Sequence, residues 1–346
     1  MISQARQIQT YILRQLPKHP ADIVLITAKH FNVTRTTVHR HLNQLIKAQK
    51  IIKSGTTRNI QYILTTSFDR FFRYQISSTL SEFNVLTKDF KDILKRLPLN
   101  TEDICSYGFT EIFNNAIDHA KAKQIIASTS LNDDIFTITI EDDGIGVFKK
   151  LFDYFKLDDI RESILQLNKG KMTTDPANHT GEGIFFSARA FDVFEIYANN
   201  LHYIRDNSEN DWAIESIENV NIGSRVVMSI KINSPTSLVN LFKKYQEPED
   251  FAFDRTDIVV ALSRFGDETL MSRSQAKRIT RGLDKFRHVT LDFTNVRLIG
   301  QGFVDELFRV YANAHPDIEF KTIHTNPDVE FMIKRGLSRS IVNPNK

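Results

Sequence analysis

The chain has 346 residues, 41% hydrophobic and 25% charged, with a net charge of +3, a composition that predicts two or three water-soluble globular domains. No apolar run reaches the ~18 residues of a membrane span, residues 1–16 lack the apolar core of an export signal, and the single cysteine, Cys105, excludes an internal disulfide and a cysteine-built zinc site. The charge is uneven: residues 1–66 hold ten Lys or Arg against one acid, Asp22, a net of +9, so the rest of the chain carries −6.

In chain order, residues 3–16 predict a helix with Ile8, Ile12 and Leu16 on one face, and residues 21–31 predict a second. Residues 35–49 predict a third, striped by Val38, Leu42, Leu45 and Ile46. The alternation Ile60, Tyr62, Leu64 after a Ser54-Gly55 turn predicts a hairpin with residues 51–53. Helices are expected over 67–97 and 101–122, and strands over 125–131 and 135–140. Residues 147–180 read as irregular and polar, 183–191 as a helix opening, and 226–232 as a closing strand. Ser234-Pro235 and the stretch 246–250, rich in Pro and Glu, mark a linker. Beyond it, strands (258–262, 289–293, 318–322) alternate with helices (272–286, 302–314, 328–335), as in an α/β layer.

Three helices and a hairpin resemble a winged helix-turn-helix over residues 1–66. Arg35, Thr36, Thr37, His39 and Arg40 fall at the start and outer face of the third helix, and Arg58 in the wing. Those residue types suit base edges and phosphates of duplex DNA, and the basic balance agrees. A solvated basic face, or a winged helix that binds protein, is the blander reading.

Glu111, Asn115 and His119 recur every four residues and share one helix face. A carboxylate, an amide and an imidazole in one row can surround a hydrated Mg²⁺, and they can equally be a solvated stripe. Glu141-Asp142-Asp143-Gly144-Ile145-Gly146 follows a strand. An acid there can accept a hydrogen bond from an adenine amino group, and glycines let backbone approach a planar ring. Thr180-Gly181-Glu182-Gly183 opens a helix, where free amides can take phosphate.

In this order and spacing, the three pieces resemble the N, G1 and G2 boxes of the GHKL ATPase superfamily (gyrase, Hsp90, histidine kinases, MutL). Gly223-Ser224-Arg225-Val226 is similar to that family's last Gly-Thr-x-Val element, with Ser224 for Thr. The resemblance covers roughly residues 100–232 and implies the Bergerat α/β sandwich, in a domain of 67–245 that includes a helical lead-in, with ATP and Mg²⁺ as cofactors. It implies that Asn115 holds Mg²⁺, Asp142 the adenine, and Gly144 and Gly146 the base pocket. It further implies that 147–180 form a mobile lid, that Gly181 and Gly183 hold phosphates, and that Glu111 is the general base, with His119 and Ser224 also at the nucleotide. No histidine lies in 42–118, which argues against a self-phosphorylating histidine kinase of the usual layout.

Residues 246–346, with Leu291-Asp292-Phe293-Thr294 running into Gly300-Gln301-Gly302-Phe303, resemble a STAS-like domain. In anti-sigma antagonists a phosphorylatable Ser starts this helix; here the stretch offers only Gly, Gln and Gly. Asp305 and Glu306 suit a helix N-terminus as well as a site. The fold class expected is therefore α+β multidomain: winged helix, GHKL sandwich and STAS-like module. The expected protein is a cytoplasmic, ATP-binding and DNA-binding transcription regulator, with a protein partner at the STAS-like module and a nucleotide-dependent homodimer. A serine kinase of the anti-sigma type and an ATP-driven DNA clamp are the alternatives.

Overall fold

The structure, a computed structural model, describes residues 4–16, 18–48, 50–54, 60–64, 69–132, 134–171, 173, 180–218, 223–247, 252–265 and 268–341. The chain divides into two compact units, Met1–Phe71 with Ser128–Asp133, and Phe72–Ala127 with Asp134–Lys346. Among the described residues no helix is long and apolar enough to cross a membrane.

The smaller unit packs three helices, Gln4–Gln15, Ile23–Phe31 and Arg35–Lys47, with a hairpin of β1 (Ile51–Ser54) and β2 (Gln61–Leu64). Its core gathers Ile8, Ile12, Leu16, Ile23, Val38, Leu42 and Leu45 from the helical part, at roughly the 3.6-residue period within each helix, with Ile51 and Tyr62 from the hairpin. The third helix starts where Thr34 Oγ1 accepts the Thr37 N–H at 3.2 Å, and Asn32 closes the second at φ 51°.

The larger sheet contains β3 (Arg70–Gln75), β4 (Gln124–Asn132), β5 (Ile135–Asp142), β6 (Val193–Ala198), β7 (Leu201–Asp206), β8 (Asp211–Ser216) and β9 (Ser224–Lys231). Their order is β3-β4-β5-β9-β6-β7-β8, antiparallel from β5 to β8. Burial alternates along β4, β5, β6 and β9, so one face is packed. Ile104, Cys105, Phe109, Ile112, Phe113 and Ala116 bury one side of the Leu99–Asp118 helix. A second, parallel sheet holds β10 (Arg255–Val259), β11 (His288–Asp292) and β12 (Glu319–Ile323), with β11 central. Helices Arg273–Thr280 and Pro327–Ile341 and the turns from Gln301 to Ala314 connect or follow these strands. The molecule is thus mixed α/β, with a large antiparallel sheet and a separate parallel layer.

Four expectations are corrected. Within 67–97, Arg70–Gln75 form strand β3, because Phe72 and Tyr74 alternate inward onto Phe90 and Phe113; the helical part runs from Glu82 to Leu94. Residues 147–180 are not irregular throughout: Val147–Phe155 and Glu162–Lys169 are helices, anchored by buried Phe148, Leu151, Ile164 and Leu165. Strands β6, β7 and β8 fill a stretch that carried no strand expectation, and β9 lies inside the sheet rather than closing it. The linker contains the Leu238–Tyr245 helix, whose Phe242 and Tyr245 pack against Phe186.

Candidate functional site

The Leu99–Asp118 helix lines one wall of a cleft with Glu111 and Asn115, and His119 caps its end. Asp142 ends β5, Ser224 opens β9 beside it, and Gly181 and Gly183 enter the next helix. All of these residues, with Gly146, line the same cleft, about 1070 Å³ of space partly open to solvent. Ile140, Ile145, Leu151, Leu167, Ile196 and Val226 supply its apolar surface. A few polar groups converging on an apolar cleft is the usual make-up of a small-ligand site.

The two adjacent aspartates have different tasks. Asp143 Oδ1 accepts the N–H groups of Lys123 and Gln124, at 2.7 and 3.0 Å, and so fixes the start of β4. Asp142 Oδ1 accepts the Gly144 N–H at 2.8 Å. Ser224 also donates to Asp142, and its Oγ accepts the Val147 N–H at 2.9 Å. Burial pushes the Asp142 carboxyl up to about 6, against the pull of those hydrogen bonds. A buried carboxylate held this way is well suited to accept from a ligand's amino group.

Backbone geometry requires the glycines here. A Cβ on Gly144 would lie 2.0 Å from Ala120 O, the atom that also accepts Ile145 N–H at 2.9 Å. Gly144 therefore buttresses the cleft from outside its lining. Gly146 has φ +81°, and a Cβ there would meet Asn199 Oδ1 at 2.4 Å. Asn199 is a residue that sequence reasoning missed. Its Nδ2 donates to Ile145 O at 3.0 Å and its Oδ1 accepts Lys149 N–H at 3.0 Å, tying the Gly144–Gly146 turn to the helix that follows. A Cβ on Gly183 would meet Glu111 Oε2 at 2.1 Å, so the helix start lies directly against that carboxylate. The first amides of the Gly183–Ala190 helix and the Lys150 side chain are the electropositive elements of the cleft. Lys150 carries no motif and was also missed. Glu111, Asn115 and His119 are the groups able to hold a hydrated divalent cation.

The floor of the cleft is tied to the C-terminal layer. Leu167 of the Glu162–Lys169 helix lines the cleft, while Lys169 beside it is fully buried. Lys169 Nζ donates to Arg278 O and Arg281 O, both at 2.9 Å, and to Gln166 Oε1 at 3.0 Å. Glu162, fully buried, pairs with Arg281 at 3.1 Å and Arg278 at 3.4 Å. Arg189 Nη2 reaches both Asn168 O and Asp257 O. Burial and the Arg281 charge hold the Lys169 ammonium well below its ordinary range. Lys169 is thus an internal anchor of a stretch that reads as irregular and polar in the sequence; Lys171 is half-buried over Phe253 and Phe286. Residues 172 and 174–179 lie outside the described residues.

In the smaller unit, Arg35, Thr36, His39 and Arg40 are exposed on the third helix, and Thr37 is half-buried with its hydroxyl 3.0 Å from Thr34 Oγ1. Arg58 lies outside the described residues. In the C-terminal layer, Asp305 pairs with Arg273 at 2.7 Å and with Arg309, so two arginines take up its charge. Glu306 is buried.

Residues 275–330 match the family described as a STAS-like domain of unknown function (DUF4325). The C-terminal layer therefore carries a STAS-like domain, which takes in the helix Arg273–Thr280 from Gln275 on, strands β11 and β12, and the start of the last helix. No curated protein matches the chain.

Proposed function

We propose that the chain is an ATP-binding, DNA-binding transcription regulator in which the nucleotide governs how the domains are held. On this reading residues 1–66 are a winged helix, 67–245 a GHKL sandwich of the Bergerat kind, and 246–346 the module containing the STAS-like match. The observation that carries it is the convergence on one cleft of Glu111, Asn115 and His119, Asp142, and Gly181 and Gly183. Three short motifs that are weak singly thus share one cavity.

In this assignment Asp142 accepts from the adenine amino group, supported by Ser224 and Gly144. Gly146 shapes the turn that lines the base pocket, its positive φ leaving room for Asn199 behind it. The amides at Gly181 and Gly183 receive phosphate oxygens. Asn115 ligates Mg²⁺, which neutralises phosphate charge. Glu111 polarises the attacking water as general base, close enough to the helix start to act at a terminal phosphate. DNA is contacted by Arg35, Thr36, Thr37, His39 and Arg40, with Arg58 at the backbone. The carboxylates in the cleft require the cation, since a bare triphosphate would face Glu111 and Glu182. Gly300–Gln301–Gly302 offers no hydroxyl for phosphate in that stretch, so the serine-kinase alternative needs an acceptor elsewhere. The test is duplex affinity at one salt concentration with no nucleotide, ADP or a non-hydrolysable ATP analogue. A change of ~5–150-fold is expected, with the reciprocal change in nucleotide affinity. Three equal affinities, with nucleotide shown to be bound, would remove the switch.

A further inference from the structure

We propose that Glu247, Asp254 and His288 form a site for one divalent first-row metal ion at the N-terminal edge of the β10-β11-β12 sheet. The backbone brings these residues together from three segments. Gln246 bridges Phe253, and Glu247 N–H donates to Ala252 O at 3.0 Å, so the connector doubles back beside Asp254. Asp254 O accepts the N–H groups of Arg287 and His288, at 2.8 and 3.1 Å. His288 and Glu319 open neighbouring strands in register.

The ligand atoms of Glu247, Asp254 and His288 all lie within 4.8 Å of one another. Ligands on ~2.0–2.2 Å bonds to one ion stand about 3–4 Å apart, so only a small closure is required. His288 Nε2 faces Glu247 Oε1 at 2.9 Å, and Nδ1 meets Glu319 Oε2 at 3.0 Å. A carboxylate behind the second ring nitrogen is the arrangement that orients metal-bound histidines.

An ordinary ion-pair cluster does not account for the site. Arg255 Nη2 satisfies Glu247 Oε1 at 2.9 Å, but Asp254 is only 6% exposed and its Oδ1 has no hydrogen-bond partner among the described residues. A buried carboxylate oxygen with no donor is costly, and an ion shared with Glu247 and His288 removes that cost. One imidazole and two carboxylates suit zinc, and manganese less tightly, while three protein ligands leave a position for water. The ion would fasten the connector at Glu247 to the sheet edge.

The test uses the tag-free full chain, stripped with chelator and free of nucleotide, titrated with ZnCl₂ and separately with MnCl₂. One zinc per chain and a raised thermal midpoint are expected. Asp254→Asn and His288→Gln should each weaken zinc at least ~10-fold, and Glu319→Gln ~10–100-fold. His324→Gln, at the separate Asp292–His324 pair, should change nothing. Should Asp254→Asn fail to fold by circular dichroism, Glu247→Gln gives the same reading. Absence of saturable zinc binding, or unchanged affinity in folded Asp254→Asn or Glu247→Gln, overturns the site. So does an equal loss in His324→Gln.

Discussion

Replacing Asp142 by asparagine tests the cleft through stability as well as through ligand binding. Asp142 is 9% exposed, and burial lifts its carboxyl from 3.8 to about 6. At ~1.4 kcal/mol per unit, the ionised group costs the ligand-free fold about 3 kcal/mol at neutral pH. The folded state holds this proton more tightly than the unfolded chain does. Its contribution is therefore fully present below pH ~4, is lost as pH rises from ~4 to ~6, and is flat above. Asparagine keeps the shape and an acceptor for the Gly144 N–H, but the weaker hydrogen bond gives back ~1 kcal/mol. Asp142→Asn should thus be more stable than wild type by ~1–2 kcal/mol at pH 8, with the advantage gone near pH 4. Denaturant unfolding at both pH values, followed by the fluorescence of Trp212 on β8, the only tryptophan, measures this. In the same samples adenine nucleotide binding should be lost. A variant less stable than wild type at pH 8, or an advantage independent of pH, would refute the argument from burial.

Three further outcomes follow from the same geometry. Glu111→Ala should keep nucleotide binding and lose turnover, because a general base is not a binding group; a wild type with no turnover above a buffer blank would remove the hydrolysis claim. Glu162→Ala leaves Arg278 and Arg281 without their buried partner and should cost ~3 kcal/mol; it should also shift nucleotide affinity although Glu162 does not line the cleft, and calorimetry showing unchanged affinity would separate that helix from the site. Residues 1–66 should bind duplex DNA with a log–log salt slope of about −0.9 per phosphate neutralised. There, Arg35→Ala or Arg40→Ala should relax sequence preference at ~1–3 kcal/mol and Arg58→Ala should weaken all sequences alike; salt-independent affinity would argue for a protein partner.

The residues that meet in the cleft were readable because helix periodicity and glycine placement are local properties. Glu111, Asn115 and His119 need only the turn of one helix to align, and Asp142 and Gly146 need only the end of one strand and the turn after it. Asn199 could not be read in this way: it sits in the β6–β7 turn, 53 positions beyond Gly146 (199 − 146), and reaches the cleft only through the sheet order. Lys150 is close in sequence, on the helix that follows Gly146, but a single lysine on an amphipathic helix carries no motif. The stretch 162–169 read as irregular and polar because its charges are conspicuous and their partners, Arg278 and Arg281, are more than a hundred residues away. β3 was hidden because Phe71, Phe72 and Tyr74 also fit a helical spacing over so short a run.

The buried Lys169 has a consequence for how this chain can change over time. Its three acceptors include two main-chain carbonyls of the other layer, which substitution of Arg278 or Arg281 side chains does not delete. The Lys169 contacts thus survive side-chain drift at Arg278 and Arg281, although buried Glu162 still needs those two side chains, and they are lost with one amine on the other side. Transplanting the STAS-like segment alone into another protein would expose those carbonyls, and grafting a foreign segment here would strand the ammonium. The two layers are expected to be inherited as a pair, with the recombination joint lying before residue 67 rather than between them.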